Sequence, residues 1–173
     1  MTRRRLAAIA VAATLWAPLA ACDDAGEGAL DPDIAAGCAH FDFGSESLLV
    51  ALASGTDVLE TLSVPHQRYV ISFEDTAADH YGYLDFAPAA AARYLLLLDA
   101  DVPLVLTDLA SNEVSPARIE RQSPACAGAA VIYTFDLEPS VYTLTLGPTD
   151  ATGLTAVLHQ PPDADADAGA HQH

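Results

Sequence analysis

The chain has 173 residues, 7 of them basic and 24 acidic, and a formal charge of −17. Its hydrophobic fraction of 51% and charged fraction of 18% exclude a disordered acidic polymer and predict one folded domain. The charge excludes a general nucleic-acid binder, which needs a basic face for phosphates, and adsorption of the body to anionic lipid. All the basic residues are Arg, so Schiff-base and P-loop lysine mechanisms are excluded as well.

Arg3, Arg4 and Arg5 open the chain, and an uncharged apolar stretch from Leu6 to Pro18 follows. That stretch is shorter than the roughly 20 residues a spanning helix needs, and it has the layout of an export signal. It leaves through Leu19-Ala20-Ala21-Cys22. This exit resembles the lipobox of bacterial lipoproteins. The resemblance implies lipidation of Cys22, a membrane anchor there, and residence in the bacterial cell envelope, facing the periplasm or the cell surface. An ordinary signal cleavage site with a chance Cys is the competing reading. Removing residues 1–21 takes away three Arg and no acid, leaving 152 residues with a formal charge of −20. Such a body favours cations or basic partners; plain solubility is the blander explanation.

Four segments are expected: a signal peptide (1–21), a flexible acidic tether (22–36), a β-sandwich domain (37–160) and a disordered acidic tail (161–173). The tether and the tail are rich in Asp, Ala, Gly and Pro, with no apolar period to bury. Cys38 and Cys126 remain as an even pair once Cys22 is set aside. In an oxidising compartment they are expected to form a disulfide. Two thiols ligating a metal are the alternative, though no Cys-x-x-Cys spacing exists.

Between tether and tail the period is mostly two. Tyr69, Ile71 and Phe73 alternate with Arg68 and Ser72; Tyr133, Phe135 and Leu137 alternate with Thr134 and Asp136; Tyr142, Leu144 and Leu146 alternate with Thr143 and Thr145. These read as half-buried antiparallel strands. The continuous apolar run from Tyr94 to Leu98 reads as a central strand covered on both faces. Further strands are predicted near 47–53, 80–87, 102–109, 115–121 and 154–159. The fold class expected is all-β: a single antiparallel β-sandwich or jelly roll of about 8–9 strands.

Three segments, Gly82-Tyr83-Leu84-Asp85-Phe86, Arg93-Tyr94-Leu95-Leu96-Leu97 and Val102-Pro103-Leu104-Val105-Leu106-Thr107-Asp108, have a shared strand rhythm. With Val141-Tyr142-Thr143-Leu144-Thr145-Leu146, it resembles that of bacterial pre-peptidase C-terminal-like domains, over about residues 66–159. Ser140 and Ala92 stand where such domains usually carry Gly. The resemblance implies a β-sandwich that acts as a binding or accessory module, with no catalytic residue.

Gly-x-Ser-x-Gly, His-Glu-x-x-His, Walker and Gly-x-Gly-x-x-Gly signatures are all missing, and no enzyme is expected. The histidines carry the remaining chemistry. If residues 40–42 are extended, His40 and Asp42 point to one side. His66 opens the Tyr69 strand, opposite its apolar face, and Asp79-His80 open the next strand. Imidazole and carboxylate suit zinc or copper. The expected ligand set is therefore His40, His66 and His80, completed or oriented by Asp42 or Asp79. Separately solvated rim histidines are the competing interpretation. In the tail, His171 and His173 stand behind three Asp and could capture metal loosely; the Asp-rich run does not fit an EF-hand loop. The expected function is a non-catalytic envelope binding module for a divalent transition metal. The alternative is an interaction module for an envelope protein or a polysaccharide without a small ligand.

Overall fold

The computed structural model describes residues 30–57, 59–74 and 78–162. Cys22, His171 and His173 lie outside the described residues, as do the signal segment, most of the tether and most of the tail.

The first element is a helix, α1 (Pro32–Phe43), and it begins inside the segment expected to be a tether. Its start is locally encoded. The Asp31 carboxylate accepts hydrogen bonds from the N–H groups of Asp33 and Ile34, at 3.1 and 3.4 Å. Pro32 fills the first helical position, where no N–H is needed, and Asp33 sits favourably at the positive end of the helix dipole. Ile34, Gly37, Cys38 and Phe41, at helical spacing i, i+3, i+4 and i+7, form the docked stripe.

Eleven strands follow among the described residues. They are β1 (Ser45–Ala51), β2 (Thr61–Leu62), β3 (Gln67–Phe73), β4 (His80–Phe86), β5 (Ala92–Leu98), β6 (Leu104–Thr107), β7 (Glu113–Val114), β8 (Arg118–Arg121), β9 (Val131–Leu137), β10 (Tyr142–Thr149) and β11 (Gly153–His159). A six-stranded sheet has the order β1-β3-β11-β5-β9-β8, and a five-stranded sheet the order β2-β4-β10-β6-β7. The expected sandwich is therefore present. Two strand pairs depart from the antiparallel expectation, because β1 runs parallel to β3 and β2 parallel to β4. From β1 to β6 the chain alternates between the sheets, so neighbouring strands are joined directly only later, in the antiparallel pairs β6–β7 and β8–β9. The two-residue strands β2 and β7 are too short to leave a periodic signal.

Alternation builds the inner core. Tyr69, Ile71 and Phe73, then Tyr94, Leu96 and Leu98, then Leu154, Ala156 and Leu158 meet Leu84, Phe86, Leu106, Leu144 and Leu146 of the other sheet. Each such side chain contributes about 1.5–3 kcal/mol by leaving water. The outer face of the six-stranded sheet is different. Leu95, Leu97, Ile132 and Val157 form a second cluster, capped by Ile34 of α1 and by Cys126 and Ala129 of the loop before β9. The Tyr94–Leu98 run is thus covered on both faces, by the second sheet on one side and by α1 on the other. Cys38 and Cys126 form the expected disulfide, with Cα atoms 5.3 Å apart, and fasten α1 to that loop.

Candidate metal centre

Three elements bring three imidazoles together at one end of this outer face. His159 is the last residue of β11. It shares the parity of Val157, so it continues the face that α1 covers, and it is 3% exposed. His66 immediately precedes β3. The β3–β11 register pairs Leu158 with Gln67, and extended by one residue it sets His66 opposite His159. The His66 N–H donates to the Leu158 carbonyl at 2.7 Å.

The turn that presents His66 is held in a conformation unusual for a residue with a side chain. Its φ is +62°, in the left-handed region. The Tyr69 hydroxyl pins this turn, donating to the Val64 carbonyl at 3.1 Å and accepting from the Val64 N–H at 3.0 Å. A strained backbone that its surroundings over-determine is common at functional positions.

His40 comes from α1. A Cβ on Gly37 would lie 3.2 Å from the Cβ and Cγ of His159 and from a methyl of Leu97, so the helix rides close over the His159 ring. One turn further on, His40 reaches the other two imidazoles. Arg68 of β3 donates to the Phe41 carbonyl at 2.6 Å, which places a cation at the negative end of the helix.

Nδ1 of His66 lies 3.3 Å from Nε2 of His40 and 3.1 Å from Nδ1 of His159. All three residues offer a ligand atom within 4.8 Å of one another. A tetrahedral metal with nitrogens at ~2.0–2.1 Å requires nitrogen separations of about 3.3–3.4 Å, which the two pairs made by His66 match, while the His40–His159 pair lies within 4.8 Å. Burial, and then the neighbouring His66 and His40, push His159 down to about 4. Burial first and His66 second also lower His40. Both rings are therefore neutral at pH 7, the form that presents a lone pair to a metal. Three imidazoles leave a fourth coordination position for another donor. The exposed His66 marks the solvent side of the site, and the buried His159 its floor.

The expected ligands therefore divide. His40 and His66 come together as anticipated, but the third member is His159. His80 lies at the far end of β3, where its ring packs edge-on against Phe73 with centroids 5.0 Å apart. The seven residues of β3 separate that end from His66, roughly 20 Å at ~3.3 Å per residue, so the two cannot share an ion. Asp79 belongs to the same far end, its N–H donating to the Asp150 carboxylate at 3.0 Å. Asp42 would lie beside His40 only in an extended chain. In a helix, two residues correspond to a turn of about 200°, and Asp42 is exposed, away from the imidazoles. Neither Asp is a member of the group. Parity carried an unused signal for His159: after Leu154, Ala156 and Leu158 face inward, His159 must follow Val157 outward.

No protein-family model matches the chain, and no curated protein matches it.

Proposed function

We propose that this protein is an exported, lipid-anchored, non-catalytic β-sandwich that binds a divalent transition metal, zinc or copper, through His40, His66 and His159. The observation that carries this reading is the convergence of three imidazole ligand nitrogens within 4.8 Å of one another, with His66 Nδ1 at 3.3 Å from His40 and 3.1 Å from His159. Imidazole donors suit zinc and copper better than calcium or magnesium, which take oxygen ligands. Export through residues 1–21 and anchoring at Cys22 are supported by the lipobox-like Leu19-Ala20-Ala21-Cys22, and the Cys38–Cys126 bond suits an oxidising envelope. The rhythm shared with pre-peptidase C-terminal-like domains agrees with an accessory, binding role. The acidic body concentrates cations near the site.

The test is titration of the metal-stripped protein with zinc and with copper(II), followed by calorimetry and melting. One ion per chain, retained through dialysis and raising the melting temperature, is the expected result. No retained ion and an unmoved melting temperature would remove the reading. A second reading, a docking module for an envelope protein or a polysaccharide, draws on the exposure of Phe43 (86%) and Leu48 (74%). A partner captured equally well in the presence of a chelator would favour it.

A further inference from the structure

We propose that the Cys38–Cys126 disulfide sets the metal affinity of the three-histidine site, so that a dithiol reductant of the envelope releases the ion. This rests on the reading of His40, His66 and His159 as a metal centre.

The three ligands are not held alike. His66 and His159 stand opposite each other on adjacent strands, and the sheet keeps them together without help. His40 rides on α1, which is not part of either sheet. A twelve-residue helix is too short to persist by itself in water, so docking keeps it folded. Ile34 is the one large side chain of α1 that is fully buried. The Arg118–Asp31 ion pair at its start is exposed and contributes little. Arg68 adds one hydrogen bond at the Phe41 carbonyl. The disulfide is the covalent restraint, and it sits two residues before His40. Without it the docked helix becomes one of several populated states, and the apparent affinity of the site falls by the docked fraction.

Cys38 is half-buried and Cys126 is 1% exposed, so Cys38 is the more open half of the bond and the one a thiol would attack. A partner thiolate attacks Sγ of Cys38, forming a mixed disulfide and expelling the Cys126 thiolate. The partner's second thiol then attacks its own bonded sulfur and expels the Cys38 thiolate. The partner leaves as a disulfide, two electrons have passed to this chain, and two protons neutralise its thiolates. Linkage is reciprocal, so a bound ion must make the disulfide harder to reduce by the same factor.

The experiment uses the full chain carrying Cys22→Ser, so that only the paired cysteines respond. Zinc affinity is measured by chelator competition on the oxidised protein and on the Cys38→Ser/Cys126→Ser variant, with circular dichroism as the check on folding. The oxidised protein is expected to bind zinc at least tenfold more tightly than the variant. In parallel, the oxidised protein is equilibrated with a reference dithiol, with and without zinc at a buffered free concentration, and the shift is compared with that of His159→Ala, which is subject to the same binding of zinc by the dithiol. Zinc is expected to shift that equilibrium towards the disulfide by at least tenfold. Equal affinities for the two proteins, or an unmoved dithiol equilibrium, would overturn the proposal while leaving the metal site standing. A reduced wild-type protein that binds zinc more tightly than the oxidised one would overturn it too, by making the thiols ligands. An oxidised protein that binds no zinc removes both readings.

Discussion

The two ends of β3 look alike in sequence and do different things. At one end stands His66, with φ +62°; just past the other stand Asp79, with φ +57°, and His80. Each end therefore pairs a histidine with a left-handed turn. At the His66 end the outer face of the sheet, the close of β11 and α1 converge, and three imidazoles meet. At the His80 end the ring is 4% exposed and turned onto Phe73. A histidine becomes a candidate ligand where separate elements deliver others to it. A single histidine folded against an aromatic ring is a core residue.

The contrast can be broken most strongly by removing one imidazole from each end. His159→Ala is expected to weaken zinc binding by about 100-fold or more, since it leaves two ligands and loses the buried floor of the site. His80→Ala should leave affinity within about twofold while lowering the urea midpoint, because it opens a cavity beside Phe73. Chelator competition and urea unfolding on both variants check the pair. If His80→Ala abolished binding, the comparison would be reversed.

A packing change confined to the His80 end comes next. A Cβ at Gly82 would lie 2.5 Å from the Phe73 ring and 2.7 Å from the Ala51 Cβ. Gly82→Ala should therefore cost about 2–3 kcal/mol of stability through overpacking. Zinc stoichiometry should stay at one per chain.

Acid acts at the opposite end. His159 is held neutral down to about 4 in the fold, against 6.5 in the unfolded chain. Between these values the unfolded state binds the extra proton, so stability is present above pH 6.5 and is lost as pH falls towards 4. In the metal-free protein a shift of this size corresponds to about 3 kcal/mol. Unfolding measured at several pH values should show that slope in the wild type and a flatter one in His159→Gln. Equal slopes would count against a buried, neutral His159.

The smallest effect expected is that of Gly37→Ala. The added methyl meets the His159 ring and Leu97 at 3.2 Å, tight enough to lift α1 by a few tenths of an ångström. Zinc affinity should fall by about threefold to tenfold, less than the roughly 10–100-fold that removal of an orienting contact costs, because the contact is shifted and not lost. No change would show that the site tolerates movement of α1.

Much of the architecture was legible, and the exceptions have local reasons. The alternation in Tyr69–Phe73, Val131–Leu137 and Tyr142–Leu146 marked strands, because one wet face and one dry face leave a period of two. The unbroken Tyr94–Leu98 run marked the strand with two dry faces. Helix α1 went unread because Ala, Gly and Asp weaken its apolar stripe, leaving Ile34, Cys38 and Phe41 as the few side chains that mark its docked face. Two of the three imidazoles were foreseen. The third is His159 and not His80, because the length of β3 puts His66 and His80 at opposite ends of the strand, whereas the β3–β11 pairing puts His159 opposite His66.

The sequence by itself determined the strand faces and the acidic character of the chain, which follow from local alternation and residue counts. Which histidines meet was decided only by tertiary structure. His40, His66 and His159 are separated by 26 and 93 residues, and no local pattern encodes their meeting. It depends on the β3–β11 register, on a glycine that lets a helix lie close to a ring, and on a disulfide that holds the helix there.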